Sequence, residues 1–341
     1  MSTVEPWVAS SREELLAGAG QRVVLDPGDG KSGSTFERVT IGDESFFVKT
    51  LGYRTDWIMR VTGDRDLRPL KIWRAGIMGG APAEIDHAVV GMAAEGEGLD
   101  AMLTILMRDV GSTLFEEGDS TISLDDHLGL LDGLAALSAR YWGWSDDVGV
   151  TSLEERLRFF APDNIASEAA VDDPPVPIRV AWEGWPRLAE IAPSLAKLCS
   201  AIQLSPRALA DAMRATPATF LHGDWKMGNL GRHPDGRTVL LDWAYPGAGP
   251  ACWDLAWYLA LNAARLPTGK EAAIGAFRDA LERRGISTAG WFDRQLDLCL
   301  LGMTACFGWE KAVGADDELR WWEDRAWRGA RHVADAYPVP R

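Results

Sequence analysis

The sequence predicts an α+β protein with a small, β-rich N-terminal lobe and a larger, mainly helical C-terminal lobe. Three observations support this division. Two short apolar runs separated by a turn signal lie before residue 55, a third apolar run ends at Met107, and the patterns after Gly111 have helical spacing. We therefore place the boundary after Met107, which gives lobes of residues 1–107 and 108–341.

The N-terminal lobe contains a predicted hairpin. Residues 35–41 and 45–51 are rich in apolar and β-branched side chains, and the Gly-Asp-Glu sequence at 42–44 is typical of a tight turn. Residues 57–78 have helical character, and the apolar run AMLTILM at 101–107 predicts a buried strand.

The C-terminal lobe begins with a helix start signal. Ser123 followed by Asp126 resembles an N-cap residue with a carboxylate three positions later, and leucines then recur at helical spacing. The Pro-rich segment 172–177 predicts a surface loop. Two further amphipathic helices are predicted at 270–284, stopped by Gly285, and at 317–337.

Composition narrows the class of protein. The net charge of −15 opposes binding to nucleic acid and to anionic membranes, and no apolar run is long enough to cross a bilayer. The first 20 residues lack a basic segment followed by an apolar one, so we expect a cytoplasmic location. The four cysteines lack metal-ligand spacing and are expected to be buried free thiols. The sequence does not indicate an oligomeric state.

Residues 219–259 carry the strongest chemical signal. A short apolar strand leads into His222-Gly223-Asp224, and two further runs flank a turn signal at 234–236. If a symmetric hairpin turns on residues 235 and 236, Asn229 lies opposite Asp242 at its open end. Amide and carboxylate oxygens are ligands that suit Mg²⁺, although a surface hairpin with polar ends has the same pattern.

The residues of this segment also resemble a known family. The run HGDWKMGN, followed by LLDW, is similar to the catalytic and metal-binding loops of the aminoglycoside phosphotransferase family, which is a small-molecule branch of the protein-kinase-like fold. Gly223 replaces the arginine that protein kinases have in this loop. The resemblance implies a two-lobed fold and a reaction that uses ATP and Mg²⁺.

Roles follow residue by residue from this resemblance. Asp224 is expected to be the catalytic base, and Asn229 and Asp242 are expected to bind Mg²⁺. Lys226 is either a catalytic residue that stabilises charge on the γ-phosphate or a solvated lysine.

Two further residues of the segment are expected to be structural. His222 resembles the scaffold histidine of the catalytic loop. Asp254 resembles an aspartate that braces the backbone of this loop, and a carboxylate in such an apolar run needs hydrogen-bond partners.

The nucleotide-binding residues are expected in the N-terminal lobe. The resemblance implies a glycine-containing loop over the phosphates, which we assign to Gly30, Ser32 and Gly33. It also implies a phosphate-binding lysine on the third strand, Lys49, and adenine binding near Met107. The Gly-Lys-Ser sequence at 30–32 mimics the end of a Walker A loop, but position 25 is leucine where that motif requires glycine.

Lys49 needs an acidic neighbour. Kinase-like folds usually supply a glutamate from the next helix, but the sequence has no glutamate from 55 to 78. Asp64 and Asp66 are the candidates.

The acceptor is expected to bind near the C-terminal helices. The hypothesis is a cationic or sugar-like acceptor that contacts carboxylates and stacks on indoles, and the alternative is an ordinary acidic helix face with core tryptophans. This region contains the following acidic residues and tryptophans: Trp309, Glu310, Asp316, Asp317, Glu318, Trp321, Trp322, Glu323 and Asp324.

These observations predict an ATP- and Mg²⁺-dependent phosphotransferase that acts on a hydroxyl group of a small molecule. Aminoglycoside-, sugar- and amino-alcohol-like acceptors are all open. One alternative is a catalytically inactive, nucleotide-binding regulator or scaffold, which the doubtful neighbour of Lys49 favours. A protein kinase is disfavoured because Gly223 stands in place of the arginine and no A-P-E segment is present.

Overall fold

The computed structural model describes residues 5–26, 32–116 and 118–337, which form two compact units. The first unit contains the described residues up to 116, together with Asp147–Val150 and Met227–Pro246. The second contains Gly118–Asp146, Thr151–Lys226 and the described residues from 247 onward. Each unit is thus assembled from separate stretches of the sequence. The single boundary after Met107 stays a prediction.

The first unit is built on a mixed sheet of six strands. The strands in the first part of the chain are β1 Val8–Ala9, β2 Ala19–Leu25, β3 Thr35–Ile41, β4 Glu44–Gly52, β5 Ile85–Asp86, β6 Val89–Glu95 and β7 Met102–Arg108. The order in the sheet is β1-β6-β7-β4-β3-β2, and the short β5 belongs to a second sheet. The described part of this unit contains the α-helices α1 Arg12–Leu15, α2 Trp57–Val61 and α3 Arg68–Arg74. The predicted hairpin corresponds to β3 and β4, and the predicted buried strand is β7. The segment predicted to be helical at 57–78 forms two short helices.

The two faces of this sheet have different roles. Val39, Val48 and Leu106 pack with Leu15 and Leu16 in an apolar core on one face. Because side chains alternate along a strand, the neighbours of Val48 in β4 project from the other face. That second face carries the predicted phosphate-binding lysine.

A second, three-stranded sheet in the first unit has the order β5-β10-β9, with β9 at Leu230–Arg232 and β10 at Thr238–Leu240. Leu230 pairs with Leu240, so the predicted register was wrong by one residue. Asn229 lies opposite Leu241, whose N–H donates to the Asn229 carbonyl at 2.8 Å. The reason is the connecting loop, which has an odd number of residues and is closed by a hydrogen bond from the backbone N–H of residue 233 to the carbonyl of residue 237.

The second unit is mainly helical and contains one small sheet, in which β8 Ala218–Leu221 pairs antiparallel with β11 Gly247–Pro250. Its helices are α4 Leu124–Arg140, α5 Leu153–Leu157, α6 Pro162–Ala169, α7 Val176–Ile191, α8 Pro193–Leu204, α9 Arg207–Arg214, α10 Cys252–Leu261, α11 Lys270–Arg283, α12 Phe292–Val313 and α13 Asp316–Arg331. Most of α12 is buried, and it packs against α7, α10 and α13. The combination of a sheet-based unit with a helical one confirms the α+β class.

Local signals located several of these helices correctly. The Ser123 hydroxyl accepts a hydrogen bond from the backbone N–H of Asp126, as the cap signal predicts. Helix α11 matches its predicted bounds within one residue, whereas α13 ends at Arg331 instead of continuing to 337. All four cysteines are free and buried. Among the described residues, no helix combines the length and the apolar composition that spanning a membrane requires.

Candidate active site

The predicted catalytic loop begins where β8 ends, and α10 holds its backbone. The Asp254 carboxylate accepts hydrogen bonds from the backbone N–H groups of His222, at 2.9 Å, and Gly223, at 3.0 Å. Asp254 is 1% exposed, so these two donors supply the partners that a buried carboxylate needs.

Burial also changes the pKa of the Asp254 carboxyl group. Loss of solvent raises the pKa of Asp254 to about 6, although the nearby charge of Arg156 and the two backbone hydrogen bonds act in the opposite direction. Arg156 is itself fully buried. The predicted catalytic loop is therefore anchored to a carboxylate that lies in the core of the second unit, near the charge of Arg156.

The side chain of Asp224 is held at both oxygens. Its Oδ1 accepts a hydrogen bond from the Trp257 indole N–H at 2.9 Å, and its Oδ2 lies 3.1 Å from the Lys226 ammonium. The Asp224 side chain is 14% exposed and that of Lys226 is 38% exposed. The structure thus places the two predicted catalytic residues in contact, with the carboxylate at the edge of the solvent.

His222 has a scaffold position in this loop. It is fully buried, and its Nδ1 accepts a hydrogen bond from the backbone N–H of Asp224 at 3.3 Å. Its ring also lies edge-on to the buried Trp225. These contacts support the expected structural role of His222.

In the first unit, Lys49 forms an ion pair with a predicted metal ligand. Its Nζ lies 2.7 Å from the Asp242 Oδ1, and the Lys49 side chain is only 8% exposed. Both proposed acidic neighbours were wrong. The Asp64 carboxylate accepts from the backbone N–H of Arg68 at the start of α3, and Asp66 pairs with Lys71.

Sequence reasoning missed a second carboxylate near Lys49, that of Asp56. Its Oδ2 accepts a hydrogen bond from the Ser34 hydroxyl at 3.0 Å, and its Oδ1 accepts from the backbone N–H groups of Ile58 and Met59 in the first turn of α2. Burial raises the pKa of Asp56, while the charge of Lys49 lowers it. An aspartate directly before the helical pattern at 57 is an N-cap signal, and that signal could have identified Asp56.

The predicted phosphate loop is only partly described, because Gly30 lies outside the described residues. The carbonyl of Ser32 accepts a hydrogen bond from the backbone N–H of Trp57 at 3.0 Å. Gly33 has a φ of +95°, and a Cβ at this position would lie 2.2 Å from the Thr55 carbonyl oxygen. The end of the loop is thus tied to the start of α2, and only glycine fits at position 33.

An apolar surface surrounds Lys49 on its face of the sheet. Lys49 is directly opposite Phe36 in β3 and Ile105 in β7, and Met107 is directly opposite Phe47. Residues directly opposite each other in antiparallel strands project from the same face. Met107 therefore projects from the same face of the sheet as Lys49.

The residues of the predicted magnesium site fit that ion. Asn229 ends the 3₁₀ turn Met227–Asn229 and is largely buried, and its backbone bonds to the residue directly before Asp242. Asp242 has a left-handed φ of +56°, which aspartate tolerates better than most residues do. The described residues contain no group of three or more His, Cys, Asp or Glu side chains that would suit a metal. One carboxylate and one amide suffice for Mg²⁺, because this ion usually retains water and substrate phosphates as ligands.

Most side chains of the acidic C-terminal region already have internal contacts. Glu318 pairs with Lys270, Lys311 pairs with Glu310, and Asp324 pairs with Arg328. The Trp321 ring is contacted by the Lys270 ammonium and the Arg325 guanidinium, and Trp309 donates its indole N–H to the Cys306 carbonyl. These contacts favour the alternative of an ordinary acidic helix face with core tryptophans.

Comparison with known families identifies the class of this protein. The sequence profile of the APH phosphotransferase enzyme family matches residues 100–294, which is more than half of the chain. The chain therefore belongs to the phosphotransferase enzyme family. The predicted family and enzyme class are confirmed. No curated protein sequence matches this chain significantly.

Similarity to the solved structure of an aminopropanol kinase confirms the predicted protein-kinase-like fold. The microcompartment-associated aminopropanol kinase is 15% identical to this chain with a TM-score of 0.52, over 94% of this chain and 95% of that one. Choline kinase LicA from Streptococcus pneumoniae is 14% identical with a TM-score of 0.46, over 95% and 96%. Aminoglycoside phosphotransferase APH(4)-Ia is 14% identical with a TM-score of 0.48, over 94% and 96%.

Proposed function

We propose that this protein transfers the γ-phosphate of ATP to a hydroxyl group of a small molecule, in a Mg²⁺-dependent reaction. The main observation behind the proposal is the position of the Asp224 carboxylate, whose two oxygens contact Trp257 and Lys226. The loop that carries Asp224 is hydrogen-bonded to the buried carboxylate of Asp254. Membership of a phosphotransferase family and the donor set of Asn229 and Asp242 support it.

Asp224 is the proposed catalytic base. It orients the acceptor hydroxyl and accepts its proton as the oxygen forms a bond to the γ-phosphorus and the bond to the β-phosphate oxygen breaks, which releases ADP. A base of this kind contributes about 10²–10⁴-fold to the rate. Lys226, in contact with the same carboxylate, is proposed to stabilise negative charge on the transferred group.

On the nucleotide side, we propose that Lys49 binds ATP phosphates and that Asn229 and Asp242 hold Mg²⁺. When bound, the ion neutralises phosphate charge and orients the transferred group. Lys49 then exchanges its contact with Asp242 for the phosphates, which is feasible because the Asp242 side chain is 31% exposed. Ser32 and Gly33 close the phosphate-binding loop, and the apolar surface at Met107 receives the adenine.

We propose an aminoglycoside-, sugar- or amino-alcohol-like acceptor. The net charge of −15 attracts cationic small molecules over long distances and raises their local concentration. The internal ion pairs of α13 leave less carboxylate charge for direct contact with a cation than the sequence suggests. The proposed preference for cations therefore comes from the field of the whole protein.

The alternative of an inactive regulator loses its main support in the structure. That alternative depended on the absence of an acidic neighbour for Lys49. The structure supplies one such neighbour in Asp242 and a second nearby carboxylate in Asp56.

The proposal is tested by incubating the protein with γ-labelled ATP, Mg²⁺ and a panel of aminoglycosides, amino alcohols and sugars. We expect label transfer to at least one acceptor, and a loss of transfer of about 10²-fold or more in Asp224→Ala with ATP binding retained. Asp163→Ala is a control, because Asp163 is an exposed aspartate that pairs with Arg158. Nucleotide binding without transfer to any acceptor would contradict the proposal and support the inactive alternative.

A further inference from the structure

Helix α10 contacts the catalytic loop at two points, and only one of them was expected from the sequence. Asp254 holds the backbone of the loop, whereas Trp257 reaches the Asp224 carboxylate itself. Residues three apart in a helix lie on the same face, so one turn of α10 presents both side chains to the loop. Asp254 determines where the loop lies, and Trp257 is able to determine how its carboxylate is turned.

The indole of Trp257 is a rigid donor. Trp257 is 4% exposed. Its ring packs edge-to-face on Phe307, with ring centroids 5.0 Å apart, and against Phe159, with ring centroids 6.2 Å apart. Since the aromatic neighbours fix the ring, they also fix the direction of its N–H group. The hydrogen bond to Asp224 is therefore set by the core of the second unit.

The two oxygens of Asp224 have contrasting neighbours. Oδ1 contacts the buried indole of Trp257, whereas Oδ2 contacts the ammonium of Lys226, whose side chain is 38% exposed and has a long, rotatable stem. A fixed contact at one oxygen restrains the carboxylate torsion. A mobile contact at the other can yield to an incoming hydroxyl.

We propose that Trp257 is a positioning residue for phosphoryl transfer, which holds Asp224 through Oδ1 so that Oδ2 faces the acceptor hydroxyl. This inference rests on the proposed function, in which Asp224 is the base. Positioning of this kind raises the rate of the chemical step, because the base is aligned before the substrate arrives. It has little effect on nucleotide binding, which the residues of the first unit provide.

The test compares Trp257→Phe with Trp185→Phe, using hydrolysis of γ-labelled ATP by water and transfer to the best acceptor of the panel. Trp185 belongs to the same unit and donates its indole N–H to the Phe160 carbonyl at 3.1 Å, so its replacement removes an indole donor of the same kind. We expect kcat to fall on the order of 10- to 100-fold in Trp257→Phe, with KM for ATP within about twofold. Trp185→Phe is expected to retain the wild-type kcat.

A double-mutant cycle separates positioning from general damage to the fold. In the Asp224→Asn background, Trp257→Phe is expected to change kcat by no more than about twofold, because the carboxylate base that Trp257 orients is already absent. A further loss as large as that in the wild-type background would overturn the inference. If Trp257→Phe does not fold, replacement of Trp257 by benzothienylalanine preserves the ring shape and removes only the N–H donor.

A spectroscopic measurement checks the contact without activity. The Trp257 indole N–H resonance, identified by its absence in Trp257→Phe, is expected to shift in Asp224→Asn, while that of Trp185 stays unchanged. An unmoved Trp257 resonance would overturn the inference. If Asp224→Asn keeps full activity, the proposed function fails; if it is inactive while Trp257→Phe matches Trp185→Phe, only the positioning role fails.

Discussion

Lys49 and Asp254 are both buried charged residues, but they are neutralised in different ways. In the first unit, Lys49 contacts the side chain of Asp242, which is partly exposed. In the second unit, Asp254 contacts the backbone N–H groups of His222 and Gly223, which cannot move away without unfolding the loop. A ligand can displace the first kind of contact but not the second. The difference separates a residue suited to binding substrate from one suited to holding the scaffold.

Replacing Lys49 should have the largest effect on turnover. Lys49→Met is expected to lower phosphate transfer by at least about 10²-fold, because charge stabilisation of the phosphates is lost. The free energy of unfolding should fall by only about 1 kcal/mol, since Asp242 is accessible to water and the methionine retains the apolar contacts of the lysine stem. Transfer assays and chemical denaturation measure the two quantities.

Lys71→Met is the matched control for this variant. Lys71 lies in the same unit and pairs with the exposed Asp66. Its replacement should leave turnover unchanged. Equal losses of turnover in both variants would show that Lys49 has no special role.

Replacing Asp254 should mainly lower the stability of the fold. Asp254→Ala leaves two buried backbone N–H groups without their acceptor, and we expect the free energy of unfolding to fall by about 2–4 kcal/mol. Urea denaturation of this variant beside Asp163→Ala, which should change stability by less than about 0.5 kcal/mol, measures the effect. A loss of stability no larger than that of Lys49→Met would remove the distinction between the two residues.

The smallest expected effect is the pH dependence that Asp254 adds to stability. Its pKa is raised to about 6 in the folded protein, above the ordinary value near 3.8, so the folded state binds more protons than the unfolded state between these values. This contribution is therefore present at low pH and lost as pH rises through 6. It should make the protein about 1 kcal/mol less stable at pH 8 than at pH 5.

Asp254→Asn isolates this contribution, because the amide does not titrate. The stability difference between the wild type and Asp254→Asn, measured by denaturation at pH 5 and pH 8, should change by that amount, and other titrating groups cancel in the comparison. An unchanged difference would indicate that Asp254 has the same charge in the folded protein at both pH values.

The sequence was informative wherever one local segment carried the signal. The strands of the first hairpin, the cap of α4 at Ser123 and the bounds of α11 were predicted within a few residues, because propensity, capping and periodicity act over neighbouring residues. The motif around Asp224 also identified the family. The neighbour of Lys49 was not predicted because the family resemblance points to the next helix, whereas Asp242 lies 193 residues away in the chain.

By itself, the sequence determined the order of the elements, the family and the residue types available for the chemistry, since these depend on short stretches of the chain. Only the tertiary structure decided that Asn229 faces Leu241, that Lys49 meets Asp242 and that Trp257 holds Asp224. Each of these contacts joins residues through loop closure or core packing, and packing depends on all the side chains around a site at once.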